Sequence, residues 1–574
     1  MEAVFLFVFL YPLVMAGWWM IGALVFFVRR ERGESRPTLP ERLPRVAILV
    51  PCHNEELVIR DTIEHLDKNH YPDFEIIAID DGSTDRTGAI LAELATRIRR
   101  LRIVTLTRNY GKAMALRAGA FASTAEYLMC IDADALLDRD ALFWMIRHFL
   151  DGPRVGAVTG NPRVLNRSSL LGRIQIGEFS AIIGMIKRTQ RGVGRIFTVS
   201  GVNACFRRRA LVDVGYWSPE TVTEDIDVSW KLQLHRWDIR YEANALTWIL
   251  VPERLRALWR QRLRWAQGGV EAAVKYAREV LRWPARRMWP VYAEYWVGVL
   301  WCYAFALTVV CWAGTNFLPA GVWPAAMAVP TLVPGWTGVL LGLTCLAQFT
   351  VGLYIDSHYE KRGLMRYLFW AIWYPAVYWL INAATTVVAV PKGLRQYKQR
   401  RYAVWKSPVR RLKDLFLWLH AARQPEQRHL YVESVSWPRV AGWAEWLLTL
   451  IFWGLWVYLV SPLLSLLLWF LGISLFVDRM IRLGGYQSLA QQLGHYSATL
   501  LALWALMTAW VWWNLHRYGR HDRRGHFPPP ITVGELAKSV GVTPEVIVAL
   551  QAGRQIFMHY DANERPVIER LEAA

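Results

Sequence analysis

Residues 4–28 carry no charge, and the run stops at Arg29-Arg30. It is long enough to cross a bilayer. With no clear small-residue cleavage site, it predicts a retained transmembrane helix rather than a removed leader. Arg29, Arg30, Arg32 and Arg36 then place its C-terminal end in the cytosol. Further apolar stretches fall near 295–314, 335–355, 367–390, 446–477 and 497–515, each close to spanning length. The fourth is unusually long and contains Pro462, which predicts a tilted, kinked helix or a helix with a re-entrant piece.

Between these stretches the pattern changes. Residues 45–165 alternate short apolar runs with helical patterns. The runs 46–50, 74–79, 101–106 and 127–131 predict buried strands, and the segments from Glu55, Thr84, Lys112 and Asp138 predict helices. This alternation implies an α/β domain with a mostly parallel sheet covered on both faces. Segments 168–190 and 254–283 are helical, amphipathic and basic; they fit helices lying on a membrane surface or ordinary packing helices.

The implied organisation is an N-terminal transmembrane helix over 1–30 and a cytosolic domain over 40–285. Transmembrane segments over 290–392 and a basic linker over 393–435 follow. The last region, 436–574, holds a transmembrane hairpin at about 446–515 and a cytosolic helical tail at about 530–574. In that tail 533–540, Gly541 and Thr543-Pro544 predict helix, turn and N-capped helix, a docking module rather than a DNA reader.

Charge adds a topological constraint. The run from Lys392 through Arg395, Lys398, Arg400, Arg401, Lys406, Arg410 and Arg411 to Lys413 belongs in the cytosol, as do Arg517, Arg520, Arg523 and Arg524. Three full spans after the cytosolic domain would put the first run outside. One of the three is therefore predicted to be re-entrant or interfacial, with Trp373-Tyr374-Pro375 as the candidate.

Of the 574 residues 54% are hydrophobic, 20% are charged and 31 are Trp, a profile of a mixed membrane and cytosolic protein. The net charge of +20 is scattered through juxtamembrane loops rather than gathered on one module, which disfavours nucleic acid as a partner. Six cysteines without a CxxC pair argue against a zinc site or a disulfide framework.

Candidate chemistry lies in five strings: Asp80-Asp81-Gly82-Ser83, Asp132-Ala133-Asp134, Ser200-Gly201, Thr223-Glu224-Asp225 and Gln261-Arg262-Leu263-Arg264-Trp265. The first two fall at carboxyl ends of predicted strands, where open α/β sheets bind ligands. Asp80-Asp81 serves a nucleotide contact or a turn and helix cap. Asp132 and Asp134, alternating in an extended segment, would point the same way and suit Mg²⁺ or Mn²⁺ with phosphate oxygens. Asp225 is the preferred base for an acceptor hydroxyl, with Glu224 and Asp227 as rivals; a capped helix start is the plain alternative. Arg264 and its neighbours offer paired hydrogen bonds to a diphosphate, and Trp265 a stacking face for a sugar, or together an interfacial anchor. Lys112 fits a phosphate contact or a solvated helix start. His53 and Asn54 fit a nucleotide contact or a strand-end turn.

In this order the strings resemble the processive, membrane-integrated family 2 glycosyltransferases. CIDADALLDRDA, VGAVTGNPRV, FTVSGV, TEDIDVSWKLQL, QRLRWAQGG and FWAIWYPAVYW look like the subgroup making poly-β-1,6-N-acetyl-D-glucosamine, over roughly residues 1–410. Residues from about 430 resemble, more weakly, the two-span accessory subunit of that subgroup, here fused to the catalytic chain.

The resemblance implies a GT-A-like domain and UDP-N-acetylglucosamine as donor with Mg²⁺ or Mn²⁺. Asp81 would hold the uridine side, and Asp132 and Asp134 the diphosphate and metal. Lys112 and Arg264 would support the donor, Glu224, Gln261 and Trp265 the acceptor, and Asp225 would be the base. It further implies a growing polysaccharide, export partners in periplasm and outer membrane, a bacterial inner-membrane location and cyclic di-GMP as an activator. Other readings are cellulose, chitin or hyaluronan synthesis, transfer of one sugar to a lipid, or a membrane scaffold or receptor whose tail binds DNA or a nucleotide.

Overall fold

The computed structural model describes residues 2–33, 43–319, 322–329, 335–360, 363–374, 378–399, 439–470, 485–518 and 526–573. The predicted basic linker from residue 400 onward, most of the basic positions from Arg400 onward, Pro375 and residues 471–477 lie outside them.

Among the described residues ten strands form one sheet: β1 (Val46–Cys52), β2 (Phe74–Asp81), β3 (Leu101–Leu106), β4 (Tyr127–Cys130), β5 (Ala135–Leu137), β6 (Val155–Val164), β7 (Ala204–Arg207), β8 (Asp238–Ile249), β9 (Gly553–Tyr560) and β10 (Pro566–Ala573). Their order is β10-β9-β3-β2-β1-β4-β7-β6-β8-β5. Strands β9, β3, β2, β1 and β4 are parallel; β7 runs against both β4 and β6.

The four predicted strands are β1 to β4, and every residue of β1 and β2 is buried. Successive side chains point to opposite faces of a strand. Ala47, Leu49, Ile77 and Ile79 therefore pack on the helix Lys112–Ala122, while Val46, Ile48, Val50, Ile76 and Ala78 pack on helices Ile59–Asp67, Thr87–Arg97 and Ala141–Leu150. A strand covered on both faces reads as a continuous apolar run, which is why these four were visible.

Three helices among the described residues are long and apolar enough to cross a membrane: Ala3–Glu31, Trp283–Phe317 and Gly338–Asp356. The stretch 367–390 is not one helix. A 3₁₀ turn, Leu364–Trp370, precedes a separate helix, Trp379–Gln399. Tyr367, Trp370, Ala371 and Tyr374 are buried against Phe179 and Phe349, so the interrupted backbone is sheltered by protein. Two further helices, Arg439–Phe470 and Gly485–Tyr518, fall in the region predicted as a transmembrane hairpin, the first continuing past Pro462. Tyr496 donates to the carbonyl of Leu13, and Trp453 to that of Phe369.

The basic segment 168–190 is a packing element. Helices Leu170–Glu178 and Met185–Val193 flank a π-helical piece, Phe179–Gly184, and bury Ile174, Ile176 and Phe179 against Phe349 and Leu353. A buried ion network ties the membrane helices to the sheet. Arg188 reaches Glu31 at 2.9 Å and Asp356 at 3.0 Å, and Arg163 reaches Asp356 at 2.5 Å and Glu360 at 3.1 Å.

The tail holds the two predicted helices, Val533–Val540 and Pro544–Ala552, and adds β9 and β10, which sequence reading did not place. Thr532 and Glu535 form a reciprocal capping box. Leu536, Ile547 and Leu550 are buried in the same core as the helix Lys112–Ala122. Arg102 of β3 donates to the carbonyls of Leu550 and Gln551 at 2.9 Å and of Gly553 at 2.7 Å, closing the end of the second helix.

Candidate active site

The carboxyl end of β4, the Ser200-Gly201 turn and the start of the helix Glu224–Leu234 meet around one lysine. Lys112 opens its helix behind Gly111, whose φ of +90° favours glycine. Its ammonium lies 2.6 Å from Asp132 Oδ1 and 3.1 Å from Glu224 Oε1, and donates to the carbonyl of Gly201 at 3.3 Å. Three of the five strings thus converge on one side chain. Burial opposes the charge of Lys112, but Asp132 and Glu224 outweigh it and hold the amine well above the ordinary lysine range.

Asp81 is fully buried at the end of β2. Its two oxygens accept from the backbone N–H groups of Tyr110 and Gly111, each at 2.8 Å. Burial pushes its carboxyl up to about 6 against the pull of those donors. Asp80 caps the turn, accepting from Ser83 N at 3.0 Å. At Gly82, with φ +61°, a Cβ would stand 2.4 Å from the backbone of Arg108, so the two loops meet at van der Waals limits. His53 and Asn54 knit this corner: a His53 ring nitrogen lies 2.8 Å from the Asp81 carbonyl, and Asn54 Oδ1 accepts from Thr84 N at 2.8 Å.

Asp132-Ala133-Asp134 is a turn between β4 and β5, not an extended segment, because Ala135 N–H closes onto the Asp132 carbonyl at 3.1 Å. The alternation argument for two parallel carboxylates therefore fails. What places Asp132 is its ion pair with Lys112; Asp134 is partly exposed in the same turn.

Asp225 lies in the first turn of the helix Glu224–Leu234. Its Oδ2 accepts from Gly201 N at 3.2 Å and its Oδ1 from Ile226 N at 2.9 Å. Burial, then the neighbouring Glu224 charge, pushes its carboxyl up to about 6. Glu224 moves the other way: burial would raise it, but Lys112 and the backbone hold it below the usual carboxylate range. Asp227 is removed from contention as a base. It is fully buried and bound to Lys275 at 2.7 Å and Tyr276 at 2.8 Å.

Gln261, Arg264 and Trp265 stand at i, i+3 and i+4 of the helix Leu255–Lys275, which puts them on one face. Arg264 is exposed, and its charge bears on both Glu224 and Asp225. Arg262 makes a buried ion pair with Glu178 at 2.6 Å, and its guanidinium lies over the Trp265 ring, 4.3 Å from the ring centre. This helix meets the Thr223 corner without a gap: a Cβ on Gly268 would stand 1.8 Å from Thr223 Oγ1.

Sequence reasoning missed Lys187. It is buried, donating to Ser200 Oγ and to Thr159 Oγ1 at 3.3 Å. Burial lowers its amine to about 7, resisted only by the charge of Asp225. A lysine within a basic amphipathic segment carries no signal that separates it from surface neighbours.

Glycosyl transferase family 2 matches residues 47–215, and the PgaD-like protein family matches 432–565. The chain is 39% identical over 412 residues to a poly-β-1,6-N-acetyl-D-glucosamine synthase of Staphylococcus epidermidis, covering 71% of this chain and 98% of that protein. The chain belongs to the poly-β-1,6-N-acetyl-D-glucosamine synthase family. A synthase of Staphylococcus aureus strain COL is 40% identical over 413 residues, with the same shares covered. Solved structures similar to this synthase family member include the mannosyltransferase PcManGT of Pyrobaculum calidifontis in complex with GDP-Man and Mn²⁺, at TM-score 0.44 and 20% identity over 65% of this chain and 99% of that one. Another is Staphylococcus aureus TarS 1–349 in complex with UDP-GlcNAc, at TM-score 0.34 and 16% identity over 63% and 94%. All six cysteines of the synthase are buried and free.

Proposed function

We propose that this synthase polymerises N-acetylglucosamine from UDP-N-acetylglucosamine into a β-1,6-linked polysaccharide and passes it through its own membrane helices. The observation that carries this reading is the meeting of Asp132, Glu224 and Gly201 on Lys112, in a chain 39% identical to a synthase of that name.

Asp81 contacts the uridine side of the donor. Asp132, Asp134, Lys112 and Arg264 surround the diphosphate. The two aspartates are hard oxygen donors at a strand end, a set that fits Mg²⁺ or Mn²⁺ completed by phosphate oxygens and water. Among the described residues no group of three or more His, Cys, Asp or Glu forms a ready-made metal cage. Such an ion supplies neutralisation of charge on the departing diphosphate.

Asp225 takes the proton of the acceptor hydroxyl as its oxygen bonds to the anomeric carbon. The bond from that carbon to the diphosphate breaks on the opposite side, so the configuration inverts and UDP leaves. Trp265 stacks on the acceptor sugar, and Gln261 and Glu224 hold its hydroxyls.

The protein sits in the bacterial inner membrane with this domain in the cytosol. Two spanning helices between the domain and Lys392 return that basic run to the side of Arg29 and Arg30. Cyclic di-GMP acts as activator through the accessory-like region, and periplasmic and outer-membrane proteins receive the polymer.

The test uses the full chain in lipid. UDP release from UDP-N-acetylglucosamine is measured with Mg²⁺, Mn²⁺ or a chelator, and with or without cyclic di-GMP; the product is digested with linkage-specific hydrolases. Metal-dependent UDP release and a product cut only by a β-1,6-specific enzyme are expected. Turnover with UDP-glucose alone, or a product resistant to that enzyme, overturns the reading.

A further inference from the structure

The C-terminal tail does more than cover a sheet edge. Parallel pairing of β9 with β3 runs from Ile103↔Gln555 to Leu106↔Met558 and continues past the strand, where Thr107 N–H donates to the Met558 carbonyl at 3.3 Å. Two residues further along, Tyr560 reaches the loop that holds Asp81. Its ring lies edge-on against Tyr110, centroids 5.4 Å apart at 75°, and its N–H donates to Tyr110 Oη at 3.3 Å. Its own hydroxyl donates to the Met114 carbonyl at 2.9 Å, in the first turn of the helix that Lys112 opens. One turn on, Arg117 pairs with Glu564 at 2.7 Å.

The consequence lies in what this loop does on its other side. Tyr110 and Gly111 supply the two N–H groups that reach the buried Asp81 carboxylate. The next residue is Lys112. A loop that carries both a carboxylate's donors and the site's central ammonium needs a rigid backing, because a shift of about 1 Å costs a site much of its binding or rate. Tyr560, only 5% exposed, is that backing from the tail side.

We propose that Tyr560 and Glu564 are positioning residues of the donor site, so that the tail is a working part of nucleotide-sugar recognition. The inference rests on the donor-site reading of Asp81 and Lys112 above. Both residues fall inside the PgaD-like match, so the accessory-like region reaches the donor loop directly.

The experiment uses the full chain in lipid nanodiscs, with UDP-release kinetics and UDP binding by calorimetry. Tyr560→Ala raises the KM for UDP-N-acetylglucosamine about tenfold and weakens UDP binding by the same factor, with kcat held within about twofold. Tyr560→Phe keeps the ring and stays within about threefold of the parent KM. Arg117→Glu raises KM, and Arg117→Glu with Glu564→Arg restores it. An unchanged KM in Tyr560→Ala, or a fall in kcat alone, overturns the proposal. Should Tyr560→Ala lose its folding transition, the charge swap decides: a double variant no better than Arg117→Glu overturns it. A parent protein that binds no UDP sinks the donor-site reading instead.

Discussion

Lys112 and Asp132 belong to different strand–helix units, and their side chains meet at 2.6 Å. The pair is mostly buried, with 15% of the lysine and 21% of the aspartate side chain exposed. Removing one member of such a pair leaves the other uncompensated. Lys112→Met is expected to cost about 3 kcal/mol of stability and to weaken UDP binding. Thermal unfolding and calorimetry check both; a loss below about 0.5 kcal/mol would mean that water already screens the pair.

Asp225 makes the sharpest chemical test. Asp225→Asn keeps the shape of the helix start and removes the proton acceptor. Polymer formation is expected to fall by about 10² to 10⁴, while UDP binding stays within about threefold because the donor contacts remain. Normal polymerisation by this variant would move the base elsewhere.

The pH profile follows from two buried groups. Asp225, raised to about 6 by burial, is protonated and inert below that pH, so kcat/KM rises through about pH 6 and levels off above it. Lys187, lowered to about 7, is charged over much of that limb and favours the ionised form of Asp225. Lys187→Met removes that charge, so the acid limb moves to higher pH by roughly half to one unit. An unmoved limb with uniformly lower activity would leave Lys187 a packing role only.

Gly268 tests the contact between the Thr223 corner and the Gln261–Trp265 face. A methyl there collides with Thr223 Oγ1 and Cγ2, at 1.8 and 2.6 Å from the new carbon. Gly268→Ala is expected to lower kcat by about 10² through displacement of Asp225. Adding Thr223→Ala removes the two nearest atoms and recovers part of the loss. Full activity in the single variant would mean that the corner yields freely.

Much of this architecture is legible in the chain because its signals are local. Strands β1 to β4 are short apolar runs bounded by turn residues, and their ends carry the acidic strings. The remainder depends on distant partners. Strand β9 alternates like many exposed segments, and it is paired both with the neighbouring β10 and with β3, some 450 residues earlier. The side chain of Asp132 is placed by Lys112 rather than by its own backbone. Asp227 stays a rival to Asp225 as base until Lys275 and Tyr276 are brought onto it. Lys187 draws its properties from burial that no neighbouring residue announces.

The pairing of β3 with β9 also bears on how the molecule is made. Residues 101–106 leave the ribosome long before 553–560, and the helices Arg439–Phe470 and Gly485–Tyr518 are synthesised in between. Until then β3 is a bare sheet edge, the kind of surface that invites wrong partners. Strand β9 therefore acts as a late seal on that edge, added only after both of those helices.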